Sequence, residues 1–186
     1  EKDTNPNAGK TYNDAIIYEL HVRDLSSDES SGIQNKGKFL GLIETGTKTI
    51  SGIPTGLDHM KDLGITHLHL LPAYDYASVD ESKPDIPQFN WGYDPENYNV
   101  PEGSYSTDPY NGAVRVSEMK QMIKKLHDNQ ISVILDVVYN HVYSAVDFCV
   151  NKIVPGYFSR MDEHGNYSNG SDCGNDTASE RSMVRK

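Results

Sequence analysis

Three segments of the chain carry the hydrophobic patterns of β-strands. Residues 15–22 begin with β-branched side chains and then alternate, and residues 65–71 alternate polar and apolar positions before a proline. Residues 132–138 form a nearly continuous apolar run, which is typical of a strand buried on both faces of a parallel sheet. The pattern therefore predicts three strands, the last of them covered on both sides.

A helix is predicted before each of the last two strands. Residues 55–63 and residues 116–128 both repeat apolar side chains at helical spacing, which gives each segment one apolar face. Gly64 follows the first helix and suits the left-handed conformation that ends many helices. Asn129 is expected to take the same conformation after the second helix.

The order of these elements predicts the fold class. Alternating strands and helices indicate right-handed βαβ units and an α/β fold with a parallel sheet. The strand-to-helix connections, residues 23–54 and 72–114, are long, and such loops build the binding sites of parallel α/β folds. The second loop holds nearly half of the aromatic residues and most of the prolines, which favours a stiff platform for a sugar ring. The alternative is that these rings only pack the loop onto the fold.

Charge and composition exclude several classes of protein. The 186 residues include 17 Lys and Arg against 27 Asp and Glu, which gives a formal net charge of −10. Nucleic-acid binders and proteins of anionic membranes concentrate basic charge, so neither nucleic acid nor a membrane is expected as a partner. No apolar run approaches the roughly 20 residues that a membrane-spanning helix needs.

The cysteines and the first residues add little chemistry. Cys149 and Cys173 are too few for a disulfide scaffold or a four-cysteine zinc site, and a single bridge between them stays open. Residues 1–12 are polar and resemble a linker from a preceding domain, whereas residues 13–186 are expected to form one folded region. His67 and His69 share one face of the second strand, where lining the barrel or packing against a helix is favoured over zinc binding.

The strongest candidate site lies at the end of the third predicted strand. Asp136 falls within the apolar run, and Asn140 and His141 follow it. A carboxylate inside a buried strand is unfavourable unless it is paired or hydrogen bonded, so Asp136 is expected to have polar partners. Three polar side chains at one strand end favour a functional site over a structural carboxylate and a core histidine.

A second candidate site lies within the aromatic loop, in the string FNWGYDP of residues 89–95. The only tryptophan of the chain, Trp91, stands close to Tyr93 and Asp94. Gly92 permits close approach of the backbone to a ligand, and Pro95 pushes the residue before it to an extended conformation. The string predicts a binding platform.

Together these motifs resemble the α-amylase clan of glycoside hydrolases, and in detail the bacterial type I pullulanases. The resemblance runs through nearly the whole chain, in the strings IIYELHVRDL, GITHLHLLPAYD, FNWGYDPENY, VILDVVYNHV and DCGNDTASERSMVRK. It implies a (β/α)8 TIM barrel of which this chain covers about the first three βα units, ending before the fourth strand.

The resemblance also implies a reaction. Type I pullulanases hydrolyse α-1,6-glucosidic bonds with retention, using an Asp nucleophile and a Glu acid/base, which is the two-carboxylate logic of glycoside hydrolysis. In this family both carboxylates follow later strands of the barrel. No catalytic carboxylate is therefore expected within these residues, and the chain alone is expected to be inactive.

The substrate contacts of the family fall on both motifs. Tyr93 would stack on the sugar at the cleavage subsite, and His141 would donate a hydrogen bond to that sugar without being buried itself. Asp136 would support the catalytic cluster, with partners supplied by later strands. The remaining substrate-binding candidates are Trp91, Asp94 and Asn175. Asn140 matches a calcium ligand of some relatives, so a structural calcium stays open, although no cofactor is expected to be required.

Two hypotheses of different classes remain. In the first, the chain is the N-terminal part of a starch or pullulan debranching barrel, whose partners are α-glucans and the remainder of the same barrel. An isoamylase or an α-1,4-specific amylase is the alternative within that class. In the second, the chain is a non-catalytic carbohydrate-binding half-barrel. Localisation stays open between the cytoplasm and the exterior of a bacterium, with a slight preference for the exterior.

Overall fold

The computed structural model describes residues 4–186 and divides them into two compact units. The first, which we call the sheet unit, comprises residues 4–73 with Asp80–Pro87 and Pro101–Asp136. The second, which we call the loop unit, comprises Tyr74–Val79, Gln88–Val100 and Val137–Lys186. All regular strands lie in the sheet unit.

The sheet unit contains three parallel strands, as the sequence predicts. They are β1 (Ile17–Leu20), β2 (His67–Leu70) and β3 (Ser132–Leu135), in the order β1-β2-β3. The pairing is in register from Ile17 through His67 to Ser132, so that residues opposite each other share a face. The parallel βαβ arrangement is confirmed.

The third strand differs from its prediction. It ends at Leu135, and it is not buried on both faces, because Leu135 is 43 % exposed. Within residues 4–186, β3 pairs only with β2 and is therefore an edge strand. An apolar run can identify a strand meant for a central position, but the sheet must supply the neighbour that covers it.

The α-helices of residues 4–186 lie between the strands or follow the last of them. They are α1 (Asp24–Ser27), α2 (Gly56–Asp62), α3 (Gly112–Asp128) and α4 (Cys149–Ile153), with short 3-10 helices at Tyr12–Asp14, Glu29–Ser31, Phe39–Ile43 and Gly103–Tyr105. The third helix begins four residues before the apolar pattern predicts. Its N-cap is Asn111, whose side-chain oxygen accepts a hydrogen bond from the Ala113 amide at 3.1 Å.

The ends of α2 and α3 test the two capping predictions. Gly64 takes a positive φ of 69°, as expected. Asn129 does not, since its φ is −99°, and the left-handed residue is Gln130, with φ 65°. The Asn129 side chain instead donates to the Lys125 carbonyl at 2.8 Å, which satisfies one of the last helical carbonyls and moves the left-handed position one residue on.

The core of the sheet unit consists of apolar side chains from one face of the sheet and from the helices. Leu68 and Leu70 of β2 are fully buried. The other fully buried apolar residues here include Phe39, Leu42, Leu57, Met60, Met122 and Leu126. Burial of this kind, about 25 cal/mol per Å² of apolar surface, is the main stabilising contribution to the unit.

Residues 4–10 contact the amino ends of the strands. The Asn7 side chain is buried and donates to the Thr66 carbonyl at 2.8 Å and to the Ser132 hydroxyl at 2.7 Å. The Ser132 hydroxyl in turn donates to Asn5. Residues 4–10 therefore pack against the sheet, whereas residues 1–3 lie outside the described residues. The assignment of residues 1–12 as a linker from a preceding domain stays a prediction.

The loop unit has its own small core and little regular structure. Val142, Ala145 and Phe148 form this core, against which Tyr98, Val150, Phe158 and Tyr167 pack.

None of the helices found within residues 4–186 has the length and hydropathy required to cross a membrane.

Candidate functional site

Asp136 lies one residue beyond β3 rather than in the middle of a strand. Its amide still donates to the Leu70 carbonyl at 3.1 Å, so the backbone continues the ladder for one more bond. The carboxylate is 23 % exposed. The expectation of a carboxylate inside a buried strand is therefore wrong, because β3 ends at Leu135 and pairs only with β2 within residues 4–186.

A histidine of β2 lies between two carboxylates on one face of the sheet. The His69 Nε2 atom is 3.9 Å from Asp136 Oδ2, and its Nδ1 atom is 3.9 Å from Glu19 Oε2. Glu19 and His69 are register partners on β1 and β2. The lining role favoured for His69 is consistent with this position, and Asp136 has a polar neighbour within this chain, which the sequence argument placed only on later strands.

His141 is more enclosed than predicted. It is only 8 % exposed, and both ring nitrogens have partners. Nε2 is 2.9 Å from the Tyr93 carbonyl oxygen, and Nδ1 is 2.9 Å from Asn140 Oδ1. A carbonyl oxygen only accepts hydrogen bonds, so Nε2 is the donor in its hydrogen bond to the Tyr93 carbonyl. The expectation that His141 is unburied is wrong, because the loop backbone of Tyr93 closes over it.

The aromatic string provides three accessible rings. Phe89 is 55 %, Trp91 is 62 % and Tyr93 is 36 % exposed, and Gly92, between the last two, has a positive φ of 88°. That conformation strains residues with a Cβ, which explains the glycine at this turn. Asp94 accepts a hydrogen bond from the Ser78 hydroxyl at Oδ2, whereas its Oδ1 atom is buried without a hydrogen-bond partner among residues 4–186.

Three tyrosine hydroxyls hold the segment that follows Asp136. Tyr74 donates to the Val138 carbonyl at 2.7 Å, and Tyr98 donates to the His141 carbonyl. Tyr139 donates to Asn99 Oδ1 at 2.6 Å. The aromatic pattern of the loop predicts only rings that stack or pack. The roles of these hydroxyls were missed, because no local sequence signal links residues 74 and 98 to residues 138 and 141.

Asn175 contacts the backbone next to His141. Its Oδ1 atom accepts from the Val142 amide at 3.0 Å, and its Nδ2 atom donates to the Val142 carbonyl at 2.7 Å. The side chain is buried, with both polar atoms in use. Its predicted contact with substrate is not supported by this geometry, which gives Asn175 a role in holding the loop.

Asp176 accepts three hydrogen bonds from within the loop unit. The hydroxyl of Ser168 and the amides of Gly170 and Ser171 donate to it, and together they hold the pKa of Asp176 well below its usual range. Asp176 and Asn140 both line a cavity of about 240 Å³. Ca²⁺ requires six to eight oxygen ligands. The oxygens of Asp176 accept hydrogen bonds and Asn140 contacts His141. A structural calcium ion at Asn140 stays an untested prediction.

A second cavity begins beside His141. It has a volume of about 320 Å³ and is lined by Ala77, Pro95, Glu96, Val142, Tyr143, Ser144, Asp147 and Phe148. The Tyr143 amide donates to the Pro95 carbonyl at 2.8 Å and so joins the two candidate strings next to the contact between His141 and Tyr93.

Cys149 and Cys173 are both free and exposed, so the disulfide bridge left open by the sequence is not formed.

The geometry places the two strongest motifs together. Tyr93 and His141 are in direct contact, with Trp91 and Asp94 beside Tyr93 in the chain. Exposed aromatic faces next to polar groups are suited to a sugar, whose ring faces are apolar and whose edge carries hydroxyls.

Comparison with known proteins agrees with the motifs. The family described as "Alpha amylase, catalytic domain" matches residues 27–155. The pullulanase of Bacillus subtilis strain 168 is 53 % identical over 173 residues, covering 93 % of this chain and 24 % of the relative. The chloroplastic pullulanase 1 of Arabidopsis thaliana is 36 % identical over 208 residues, covering 94 % of this chain and 21 % of the relative.

A solved structure shows the same fold. The pullulanase of Paenibacillus barengoltzii, crystallised with maltohexaose and α-cyclodextrin, superposes with a TM-score of 0.89 at 60 % identity, covering 92 % of this chain and 27 % of that protein. The chain thus spans about a quarter of the length of these relatives. The expected start of a TIM barrel and the resemblance to pullulanases are confirmed, and the chain belongs to the family of α-amylase catalytic domains.

Proposed function

We propose that these residues form the first three βα units of a pullulanase barrel that hydrolyses α-1,6 bonds in branched α-glucans. The observation that carries the proposal is the contact between His141 and the Tyr93 carbonyl, which brings the clan-wide string DVVYNH to the narrower string NWGYDP. The similarity to pullulanases along more than nine tenths of the chain supports it.

The residues present here would bind and orient the sugar. The exposed rings of Tyr93 and Trp91 offer apolar faces on which a sugar ring would stack. His141 keeps the Tyr93 backbone in place through Nε2. For the His141 ring to donate to a sugar hydroxyl, as its family role requires, it would exchange one of its two present partners for the substrate.

The nucleophile and the acid/base would come from later strands of the barrel. A retaining glycosidase needs two carboxyl groups about 5–5.5 Å apart. Asp136 would support that pair from the rim, next to His69. The exposed end of β3, where Leu135 is 43 % exposed, would be covered by the remainder of the barrel.

The proposal predicts the effect of removing the Tyr93 ring in the full-length enzyme that carries this chain. Tyr93→Ala is expected to lower kcat/KM on pullulan by about tenfold or more, because the stacking face is lost. The melting temperature should change little, since the ring is partly exposed. Tyr110→Ala, at a tyrosine that is 77 % exposed, is the matched control and should keep wild-type kinetics.

The outcomes separate the alternatives. Hydrolysis of pullulan with no cleavage of unbranched α-1,4-glucan supports the debranching function, whereas the reverse selectivity would assign an α-1,4-specific amylase. Glucan binding without hydrolysis would favour the hypothesis of a non-catalytic carbohydrate-binding half-barrel. A Tyr93→Ala protein that unfolds while its folded fraction keeps normal kinetics would show that the ring only packs the loop.

A further inference from the structure

Tyr98 contacts the candidate site through the backbone of His141. Its hydroxyl donates to the carbonyl oxygen of His141. Its ring packs edge-on against Tyr139 at 5.2 Å and against Tyr74 at 6.3 Å between centroids, and it also contacts Phe148 at 6.0 Å. The ring is therefore fixed by its neighbours, and the direction of the hydroxyl follows from the ring.

The peptide group that Tyr98 reaches is held at both of its polar atoms. The carbonyl of His141 accepts from Tyr98, and the amide of Val142, in the same peptide plane, donates to Asn175 Oδ1 at 3.0 Å. The plane of this peptide therefore cannot rotate without breaking one of two hydrogen bonds. Because the side chain of His141 leaves the adjacent Cα atom, fixing the plane also fixes where the imidazole starts.

The Tyr98 hydroxyl stays a hydrogen-bond donor at the pH values at which enzymes usually work. Burial of the ring raises the pKa of Tyr98 to about 12, so its hydroxyl keeps its proton at neutral and mildly alkaline pH. The His141 carbonyl therefore has a permanent donor, which is the condition for a constant orientation of the backbone.

We propose that Tyr98 is a positioning residue of the sugar site: its hydroxyl orients the peptide of His141, and through His141 Nε2 it fixes the carbonyl of Tyr93. This inference rests on the proposed function, in which His141 and Tyr93 contact the sugar. Tyr98 itself is half-buried and would act only through these two residues.

The test is a double-mutant cycle in the full-length enzyme, with pullulan as substrate. Tyr98→Phe removes one oxygen atom and keeps the packing of the ring. It should lower kcat/KM by about three- to tenfold, which is the usual contribution of one hydrogen bond. In a His141→Ala background the same change should have an effect of less than about twofold, because the group that Tyr98 orients is gone.

Tyr167→Phe is the matched control. Tyr167 also donates its hydroxyl to a backbone carbonyl, that of Ala145, at 3.4 Å, and it packs against the same small core. Its removal should leave kcat and KM unchanged in both backgrounds. Thermal unfolding of all variants shows whether each change acts through stability instead.

Each result has one meaning. A Tyr98→Phe effect that is present with His141 and lost without it supports positioning. An equal effect in both backgrounds, or an equal effect of Tyr167→Phe, would overturn the inference while leaving the proposed function intact. A wild-type enzyme that cleaves no α-1,6 bond would instead remove the proposed function, and the inference with it.

Discussion

The sheet unit and the loop unit are stabilised in different ways. In the sheet unit, apolar side chains such as Leu68 and Met122 are fully buried between regular elements. In the loop unit, the chain is held largely by polar side chains that bond to backbone groups distant in sequence, as Tyr74, Tyr98 and Asn175 do. An apolar core tolerates a substitution that changes the shape of a side chain slightly. Removing one partner of a buried hydrogen bond leaves the other polar group with no partner at all.

The difference suits a binding site. A loop that must present Tyr93 and His141 in one conformation, without a helix or strand to hold it, needs directional contacts. Each such contact fixes one backbone group, and several of them together define a conformation that burial alone would leave loose. The comparison predicts that changes of similar size will affect the two units differently.

The largest effect is expected from a cavity in the sheet unit. Leu68→Ala should lower the free energy of unfolding by about 2–5 kcal/mol, since the side chain is fully buried. Urea or guanidinium unfolding of the full-length enzyme measures the change. Leu63→Ala, at a leucine that is 49 % exposed, should change stability by less than about 1 kcal/mol. Equal effects at both positions would show that the buried core is not what stabilises this unit.

A smaller loss of stability with a larger loss of activity is expected in the loop unit. Asn175→Ala leaves the amide and the carbonyl of Val142 without partners, at about 1–3 kcal/mol for a buried group. Because Val142 follows His141, kcat/KM on pullulan should fall as well. Asn166→Ala, at an exposed asparagine that donates to Asp162, should alter neither quantity. Normal kinetics for Asn175→Ala would separate the loop core from the candidate site.

The smallest effect is a dependence of stability on pH. The Ser168 hydroxyl and two backbone amides lower the pKa of Asp176 in the folded state, so its ionised form stabilises the fold at pH values above the unfolded pKa of about 4. Asp176→Asn should destabilise the protein by about 1 kcal/mol at pH 7, since an amide is a weaker acceptor. The difference from wild type should shrink as the pH falls from 5 to 3. A difference that is constant over this range would contradict the assigned hydrogen bonds.

The sheet unit was largely predictable from the sequence. Alternation and helical spacing are local signals, and they located the three strands and the helices α2 and α3 to within a few residues. The errors lay where a local signal competes with a contact. Asn129 has the residue type of a left-handed cap, but its side chain bonds to the helix and Gln130 takes that conformation.

The candidate site was predictable only as a set of residues. The motifs located Tyr93, Asp94, Asp136 and His141, but not which of them is buried or what each contacts. The burial of His141 depends on a backbone carbonyl that is 48 positions away in the chain. No pattern of residue types reports such a bond, because every residue carries the same carbonyl.

The contact of Asn7 with Ser132 bears on the order of folding. It joins positions that are 125 residues apart, so we expect it to form after β2, α3 and β3. Contacts of such long sequence separation form late, since closing the intervening loop is entropically unfavourable until other structure has shortened it. The Asn7 side chain should therefore become protected from solvent at the end of folding. In a hydrogen-exchange experiment during refolding, the amides at the amino ends of β2 and β3 would then be the last of the sheet to become protected.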